Sequence, residues 1–182
     1  MSYKRITALL LALLIPTAAY SMDGNNDLIE AAKRGDIEKV TSLLTEGADV
    51  NSKAANGRTA LMEAAYWGKT DVVNLLLEKG AEINAQDKEG RTALIEAASR
   101  GRMEAMQALL DKGADINAKS DEGRTSLMLA AYWGHAKIVQ ALLEKGAKVN
   151  EKDKTGYVAM DFAESQGHKE IVELLKKALS RR

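Results

Sequence analysis

The sequence GRTALMEAA at residues 57–65 recurs as GRTALIEAA at residues 90–98 and as GRTSLMLAA at residues 123–131. Each copy begins 33 residues after the one before it. A strict period of this length is typical of chains in which similar supersecondary units stack against one another. The three copies therefore predict a repeat protein, and they fix the register in which the rest of the chain is compared.

Glycines follow the same period at three points of each unit. One series opens the motif, a second follows its alanine pair, and a third precedes a single alanine. The members are Gly24, Gly57, Gly90, Gly123 and Gly156; Gly35, Gly68, Gly101, Gly134 and Gly167; and Gly47, Gly80, Gly113 and Gly146. Glycine readily adopts the left-handed backbone conformation that ends helices and closes turns. We therefore expect each unit to contain two short helices and a projecting turn, with glycine at the boundaries.

The starts of the two helices are indicated by threonine and by acid. Thr59, Thr92 and Thr125 precede the apolar run, where a hydroxyl oxygen can accept a hydrogen bond from a backbone N–H of the first turn. The second helix is predicted to carry acid in its first turn, which suits the positive end of the helix dipole. These acids are Glu38, Asp71, Glu104 and Glu170. The alanine pairs, such as Ala64-Ala65, let the helices approach closely.

The combined pattern resembles the ankyrin repeat family. The second half of each unit agrees, because leucine-rich stretches lead to Gly-Ala-Glu-Ile-Asn at residues 80–84 and to Gly-Ala-Lys-Val-Asn at residues 146–150. The resemblance covers residues 24–182 and implies an all-α solenoid of helix–turn–helix units with projecting β-hairpin loops. It implies five units of 33 residues: an N-terminal capping repeat at 24–56, full repeats at 57–89, 90–122 and 123–155, and a C-terminal capping repeat at 156–182. Asp27 is predicted to cap the first helix.

The chain departs from the family at one position. The family's usual Thr-Pro-Leu-His opening is here Thr-Ala-Leu-Met at residues 59–62. The resemblance therefore implies that the histidine hydrogen bonds between neighbouring repeats are missing. Met62, Ile95 and Met128 are expected to fill that space by packing.

The first 21 residues differ in composition from the repeats. Lys4 and Arg5 precede an apolar run at residues 6–15, which Pro16 and several small residues follow. We interpret residues 1–21 as a secretory signal peptide and residues 22–182 as the repeat domain. Cleavage after Ser21 or after Ala19 satisfies the small-residue rule, and we favour Ser21. The run is shorter than the ~20 residues that span a bilayer, so we expect no permanent membrane anchor. The predicted location is the periplasm, with secretion as the alternative.

Charge and residue usage exclude several classes of function. The chain has 26 basic and 26 acidic residues and no cysteine, so it forms no disulfide. Its near-neutral balance disfavours a nucleic acid partner. The two histidines, His135 and His168, both follow a repeat glycine, which indicates a structural place rather than a metal pair. No nucleophile, phosphate-binding loop or metal motif is present, so we expect a non-catalytic protein without a cofactor.

One position of the first helix changes character along the chain. It holds Glu30, Glu63 and Glu96 in the first three units, then Leu129 and Phe162. We expect this position to lie at the surface, which would grade from acidic to apolar. Two interpretations stay open: a partner recognises the gradient, or an exposed site has drifted.

The aromatic side chains carry the functional signal. After residue 22 they are Tyr66, Trp67, Tyr132, Trp133, Tyr157 and Phe162. All are predicted on first helices or hairpin arms, which line the concave binding surface in the ankyrin family. Large aromatics and arginine contribute most of the energy in typical interfaces. The predicted partner-binding residues are Tyr66, Trp67, Arg100, Tyr132 and Trp133, with a second row of Arg58, Arg91 and Arg124. For that second row, salt bridges to loop acids such as Glu89, Asp121 and Glu122 are an equal alternative.

The sequence thus predicts a monomeric, exported module that binds another protein through its concave face and hairpin tips. Stabilising or inhibiting an exported enzyme or toxin would fit such a module. The alternative is a receptor for a small ligand, such as a sugar or a peptidoglycan fragment stacked on the Tyr-Trp pairs. An open concave surface encloses little of a small molecule, which favours the protein partner.

Overall fold

The computed structural model describes residues 23–180. The predicted signal peptide, residues 1–21, lies outside the described residues. Within them the chain forms ten α-helices and no strand. The helices are α1 Asp23–Arg34, α2 Ile37–Thr45, α3 Ala60–Trp67, α4 Thr70–Glu78, α5 Ala93–Ser99, α6 Met103–Asp111, α7 Ser126–Tyr132, α8 Ala136–Glu144, α9 Ala159–Ser165 and α10 Lys169–Ser180. None of these helices is long and apolar enough to cross a membrane. The all-α repeat architecture is confirmed.

The helices stack in two rows. The odd-numbered helices α1, α3, α5, α7 and α9 each pack on the next odd-numbered helix, and each also packs on the even-numbered helix that follows it in the chain. The alanine pairs of α1, α3, α5 and α7 are buried, as the expectation of close approach requires. Leucine and valine from the even helices complete a continuous core along the stack. The units are thus held together by contacts with their neighbours.

Helix starts follow the sequence signals closely. The side-chain oxygens of Thr59, Thr92 and Thr125 each accept a hydrogen bond from the N–H three residues on, at 3.3–3.4 Å. Acid lies in the first turn of α2, α4, α6 and α10, as predicted. The prediction for Asp27 is wrong, because α1 already begins at Asp23 and Asp27 lies inside the helix.

The motif position that lacks histidine is filled by packing, as expected. Met62, Ile95 and Met128 are buried. Other side chains nevertheless form hydrogen bonds between neighbouring repeats. They belong to residues that follow the glycine at the end of a first helix, such as Gly134 and Gly167. Nε2 of His135 bonds the carbonyl of Ser99 at 3.1 Å, and Nε2 of His168 bonds that of Tyr132 at 3.0 Å. The expectation of no histidine bonds between repeats therefore holds only for the motif position itself.

These side chains also lie against the glycine that ends the first helix of the preceding unit. Arg102 covers Gly68, and its Nε donates to the carbonyl of Tyr66 at 3.1 Å. The ring of His135 covers Gly101 in the same way. The left-handed glycine supplies the bend, and the next repeat packs against its bare α-carbon. His135 and His168 therefore hold structural places, as the sequence indicated.

The projecting loops are tight turns joined by single backbone bonds. In the turn at residues 87–91, the N–H of Asp87 donates to the carbonyl of Arg91, and the N–H of Gly90 donates to that of Asp87. Neighbouring turns share one backbone–backbone hydrogen bond each, from the N–H of Lys88 to Asn56, of Asp121 to Glu89 and of Lys154 to Glu122, at 2.9–3.1 Å. One backbone–backbone bond between adjacent turns is too few to build a strand, which explains why the described residues contain none.

Asp153 organises the last of these turns. Its Oδ1 accepts hydrogen bonds from the N–H groups of Thr155 and Tyr157 and from the hydroxyl of Thr155, at 2.7–3.0 Å. Burial of Asp153 opposes its ionisation. The hydrogen bonds from Thr155 and Tyr157 and the charge of Arg124 outweigh that effect and hold the pKa of Asp153 below its ordinary value. The ionised carboxylate therefore stabilises the folded turn.

We expect Asp153→Asn to lower the free energy of unfolding at pH 7 by about 1–3 kcal/mol, since the hydrogen bonds to this buried group lose the assistance of its negative charge. The folded pKa lies below the unfolded value of about 4, so the contribution is present above that pH and lost as the pH falls through the folded pKa. Urea unfolding from pH 7 to pH 3 should show the gap between wild type and variant closing.

Ser120 provides the control for this experiment. It stands at the same place in the preceding turn, where its hydroxyl accepts from the N–H of Arg124 at 3.3 Å. Serine does not titrate in this range, so the loss caused by Ser120→Ala should not change with pH. A gap for Asp153→Asn that is equally independent of pH would contradict the assignment.

Candidate functional site

Two Tyr-Trp pairs end two of the first helices. Tyr66 and Trp67 are the last residues of α3, Tyr132 ends α7, and Trp133 follows it directly. Trp67 is 43% exposed and Trp133 is 54% exposed, so neither is a core residue. Within each pair the rings meet edge to face, with centroids 5.2 Å and 5.1 Å apart. The indoles are thus held in place while they face solvent.

Two further aromatic side chains extend the second pair. The ring centroid of Phe162 lies 6.1 Å from that of Tyr132 and 6.3 Å from that of Tyr157. Phe162 is buried, whereas Tyr157 is 57% exposed. Tyr132, Trp133, Tyr157 and Phe162 form one connected group, which we call the C-terminal aromatic cluster. Phe162 lies on a first helix, α9, as predicted, but neither Phe162 nor Tyr157 was among the predicted partner-binding residues.

Arg100 directly follows the last residue of α5, the helix that packs between the two helices carrying the Tyr-Trp pairs. Its guanidinium carbon lies 4.3 Å from the ring centroid of Tyr66, which is the geometry of a cation–π contact. Its side chain is exposed. The structure therefore brings together Tyr66, Trp67 and Arg100, which the sequence had selected for their chemistry and repeat position.

The second row of arginines is engaged in ion pairs. Arg91 pairs with Glu89 at 3.2 Å, and Arg124 pairs with Glu122 at 2.7 Å. The alternative interpretation of these arginines predicted such salt bridges to loop acids. It named Glu89, Asp121 and Glu122, and of these three Asp121 pairs with neither arginine. About a third of the Arg91 and Arg124 side chains remains exposed, so both still contribute to the surface.

Arg58 is the most buried of the three, with 14% of its side chain exposed. It bonds two carboxylates at once: Nε donates to Glu63 at 2.5 Å, and Nη1 donates to Glu96 at 2.6 Å. Burial lowers the pKa of Arg58, but the charges of and hydrogen bonds to Glu96 and Glu63 more than offset this and raise it above its ordinary value. Arg58 therefore acts as a charged internal link between two units.

The glutamate position of the first helices is not uniformly exposed, which corrects the sequence expectation. Half of the Glu30 side chain is exposed, most of the Glu63 side chain is covered, and Glu96 is 1% exposed. Leu129 and Phe162 at the same position are also buried. From the second unit onward, side chains of neighbouring units cover the residue at this position of the first helix. The predicted acidic-to-apolar surface gradient is therefore mostly internal.

The described residues offer no metal site. No group of three or more histidine, aspartate or glutamate side chains within residues 23–180 is arranged to hold a metal ion. The carboxylates beside the Tyr-Trp pairs are engaged with arginine or with an indole N–H. What the surface presents is a set of oriented aromatic rings and a cation, which is the chemistry of an interface.

The fold and this surface together define a helical repeat protein with an exposed aromatic face. The family model for ankyrin repeats in three copies matches residues 6–87, 28–120, 81–153 and 116–180. The chain belongs to the ankyrin repeat family. Ankyrin repeats are generally protein–protein interaction modules and are generally non-catalytic. No curated protein is similar enough to the chain to count as a relative.

Proposed function

We propose that the protein is a non-catalytic module that binds a partner protein through the face formed by its first helices and turns. The observation that carries the proposal is the exposure of Trp67 and Trp133 on a rigid support. A single aromatic anchor contributes about 2 kcal/mol or more to a typical interface. Two such anchors beside Arg100 and Tyr157 give this face the composition of an interface centre.

The structure around Trp67 and Trp133 holds the two indole rings in place. Each indole contacts the ring of the adjacent tyrosine, and the helices that carry them pack through fully buried alanine pairs. Side chains held before binding lose less entropy when a partner arrives. A preorganised face is suited to a protein partner of defined shape. The small-ligand alternative depends on the same two indoles.

We further propose that binding takes place after export, in the periplasm. The basic, apolar and small-residue pattern at residues 1–21 supports this location. A partner in that compartment would be an exported enzyme or toxin that the module stabilises or inhibits. The intact mass of the exported protein tests this step, and a chain beginning at Met22 is the expected result. An exported protein whose mass still includes residues 1–21 would contradict the proposed cleavage.

Affinity capture tests the binding face. The protein, tagged at its C-terminus, is recovered from the exported fraction as wild type and as the double variant Trp67→Ala, Trp133→Ala. We expect a partner protein to be recovered by the wild type and lost with the double variant, because two anchors are removed. Circular dichroism should show an unchanged helical spectrum for the variant.

Ile37→Ala is the matched control for capture. Ile37 begins α2 and is also an exposed large apolar residue, but it belongs to a second helix rather than to the first helices and turns of the proposed face. We expect this variant to recover the same partner as the wild type. Equal recovery by the double tryptophan variant would overturn the proposed face. Quenching of tryptophan fluorescence by muropeptides, with no protein recovered, would favour the small-ligand alternative.

A further inference from the structure

One row of side chains runs along the C-terminal ends of the first helices. Its members occupy equivalent positions of successive units, and we call them the terminal row: Arg34, Trp67, Arg100, Trp133 and Gln166. No member is acidic. The Arg34 side chain is 76% exposed, with Nη2 4.0 Å from a Glu30 oxygen. The terminal row therefore presents aromatic rings and positive charge in alternation.

Arg100 is the central cation of the terminal row. Arg58, Arg91 and Arg124 all form ion pairs, whereas Arg100 forms none with any residue in the described part of the chain. Its guanidinium is instead supported by the ring of Tyr66. A guanidinium that is held in place and lacks a carboxylate is suited to bind one from a partner, in a bidentate pair.

The two indoles of the row differ in their hydrogen bonding. Nε1 of Trp67 donates to Oε2 of Glu63 at 3.2 Å. Leu129 takes the place of that glutamate in the unit that carries Trp133, so Nε1 of Trp133 finds no acceptor among residues 23–180. An exposed donor of this kind pairs well with a carbonyl that is not used in secondary structure.

The spacing of the row selects a conformation for the partner. Packed helices lie ~8–10 Å apart, so the row repeats at about that distance. A polyproline II segment has three residues per turn and rises ~3.1 Å per residue, which places every third side chain on one face at ~9 Å. Its backbone carbonyls are free to accept hydrogen bonds. A β-strand places residues three apart on opposite faces and does not match.

We propose that the terminal row binds a polyproline II segment of a partner protein with an acidic side chain against Arg100. The segment carries an apolar side chain three residues before the acid and another three residues after it, against Trp67 and Trp133. Its backbone supplies the acceptor for Nε1 of Trp133. This inference rests on the proposed function and names the chemistry of the partner at the same face.

Selection from a displayed library of random twelve-residue peptides tests the proposal. The full-length protein is used as wild type, as Arg100→Glu and as the double variant Trp67→Ala, Trp133→Ala. Lys137→Glu is the matched charge reversal, because Lys137 is exposed on α8 in the other row of helices. Wild type and Lys137→Glu are expected to enrich peptides that contain an acidic residue, with one apolar residue three positions before it and another three positions after it.

The Arg100→Glu variant should enrich lysine or arginine in place of the acid. A synthetic copy of the enriched acidic peptide should bind it at least about tenfold more weakly than it binds wild type, as expected when a charge-assisted pair is replaced by repulsion. An acidic preference that persists in Arg100→Glu would overturn the proposal, as would a seven-residue helical spacing or no enrichment by wild type. Unchanged selection by the double tryptophan variant would instead contradict the proposed face.

Discussion

Removing the guanidinium of Arg58 is expected to lower the free energy of unfolding by about 3–5 kcal/mol, because a buried carboxylate loses its main partner. Glu96 is 1% exposed, its Oε1 accepts from Arg58 at 2.6 Å, and its Oε2 has no hydrogen-bond partner. Arg91 lies 3.5 Å from Oε1 and compensates only in part. Urea unfolding of Arg58→Ala at pH 7 measures the loss.

The chain itself supplies the control for this experiment. Leu129 occupies the position of Glu96 one unit later and is buried without any charge. The double variant Arg58→Met, Glu96→Leu removes both charges of this pair and keeps apolar volume. We expect it to recover the part of the Arg58→Ala loss that comes from the unpaired Glu96, while Glu63 stays without its arginine. A loss below about 1 kcal/mol for Arg58→Ala, the size of an exposed pair, would show that the network contributes little.

Local signals made most of the fold predictable. A threonine oxygen that caps a helix and a glycine that adopts the left-handed conformation act within a few residues of their own position. Thr59, Thr92 and Thr125 therefore cap the helices that the sequence assigned to them. The 33-residue period then carries each local assignment to the equivalent position of the other units.

The burial of Glu96 depends on neighbours and was not predictable from the period. Equivalent positions share a backbone, but they do not share the side chains that pack on them. The position of Arg58 is occupied by Asn25 in the first unit, so Glu30 has no such arginine in its own unit. Glu96 is reached by Arg91 from its own unit and by Arg58 from the preceding one.

In the candidate site, too, some features were predictable from the sequence and others depended on contacts between units. The exposure of Trp67 and Trp133 could be inferred, because a large indole does not fit beside buried alanines in a tightly packed stack. The joining of Tyr157 and Phe162 to Tyr132 could not, because it depends on contacts between the loop and helix of one unit and the helix of another. The replacement of glutamate by phenylalanine at residue 162 was the available signal.

Alanine at Gly90 is expected to cost about 2–5 kcal/mol, the sum of left-handed strain and a steric clash. The backbone of Gly90 has φ +71°, a conformation that side chains with a β-carbon disfavour. An added β-carbon would also lie 2.5 Å from the backbone nitrogen of Asp121 in the next turn. Relieving that contact requires the two turns to separate, which breaks the bond from the Asp121 N–H to the Glu89 carbonyl.

Gly156 separates the two contributions, because it occupies the same position of the last turn, with φ +90°, and has no atom near the place of an added β-carbon. Gly156→Ala should therefore carry only the conformational strain, about 1–2 kcal/mol. The difference between the two variants in urea unfolding measures how tightly one turn is held against the next. Equal losses would mean that the turns yield at little cost and that the helices alone hold the units together. A larger loss at Gly90 would show that the turns belong to the same rigid stack as the helices, including the turn that carries Arg124 to 5.5 Å from the ring centroid of Phe162.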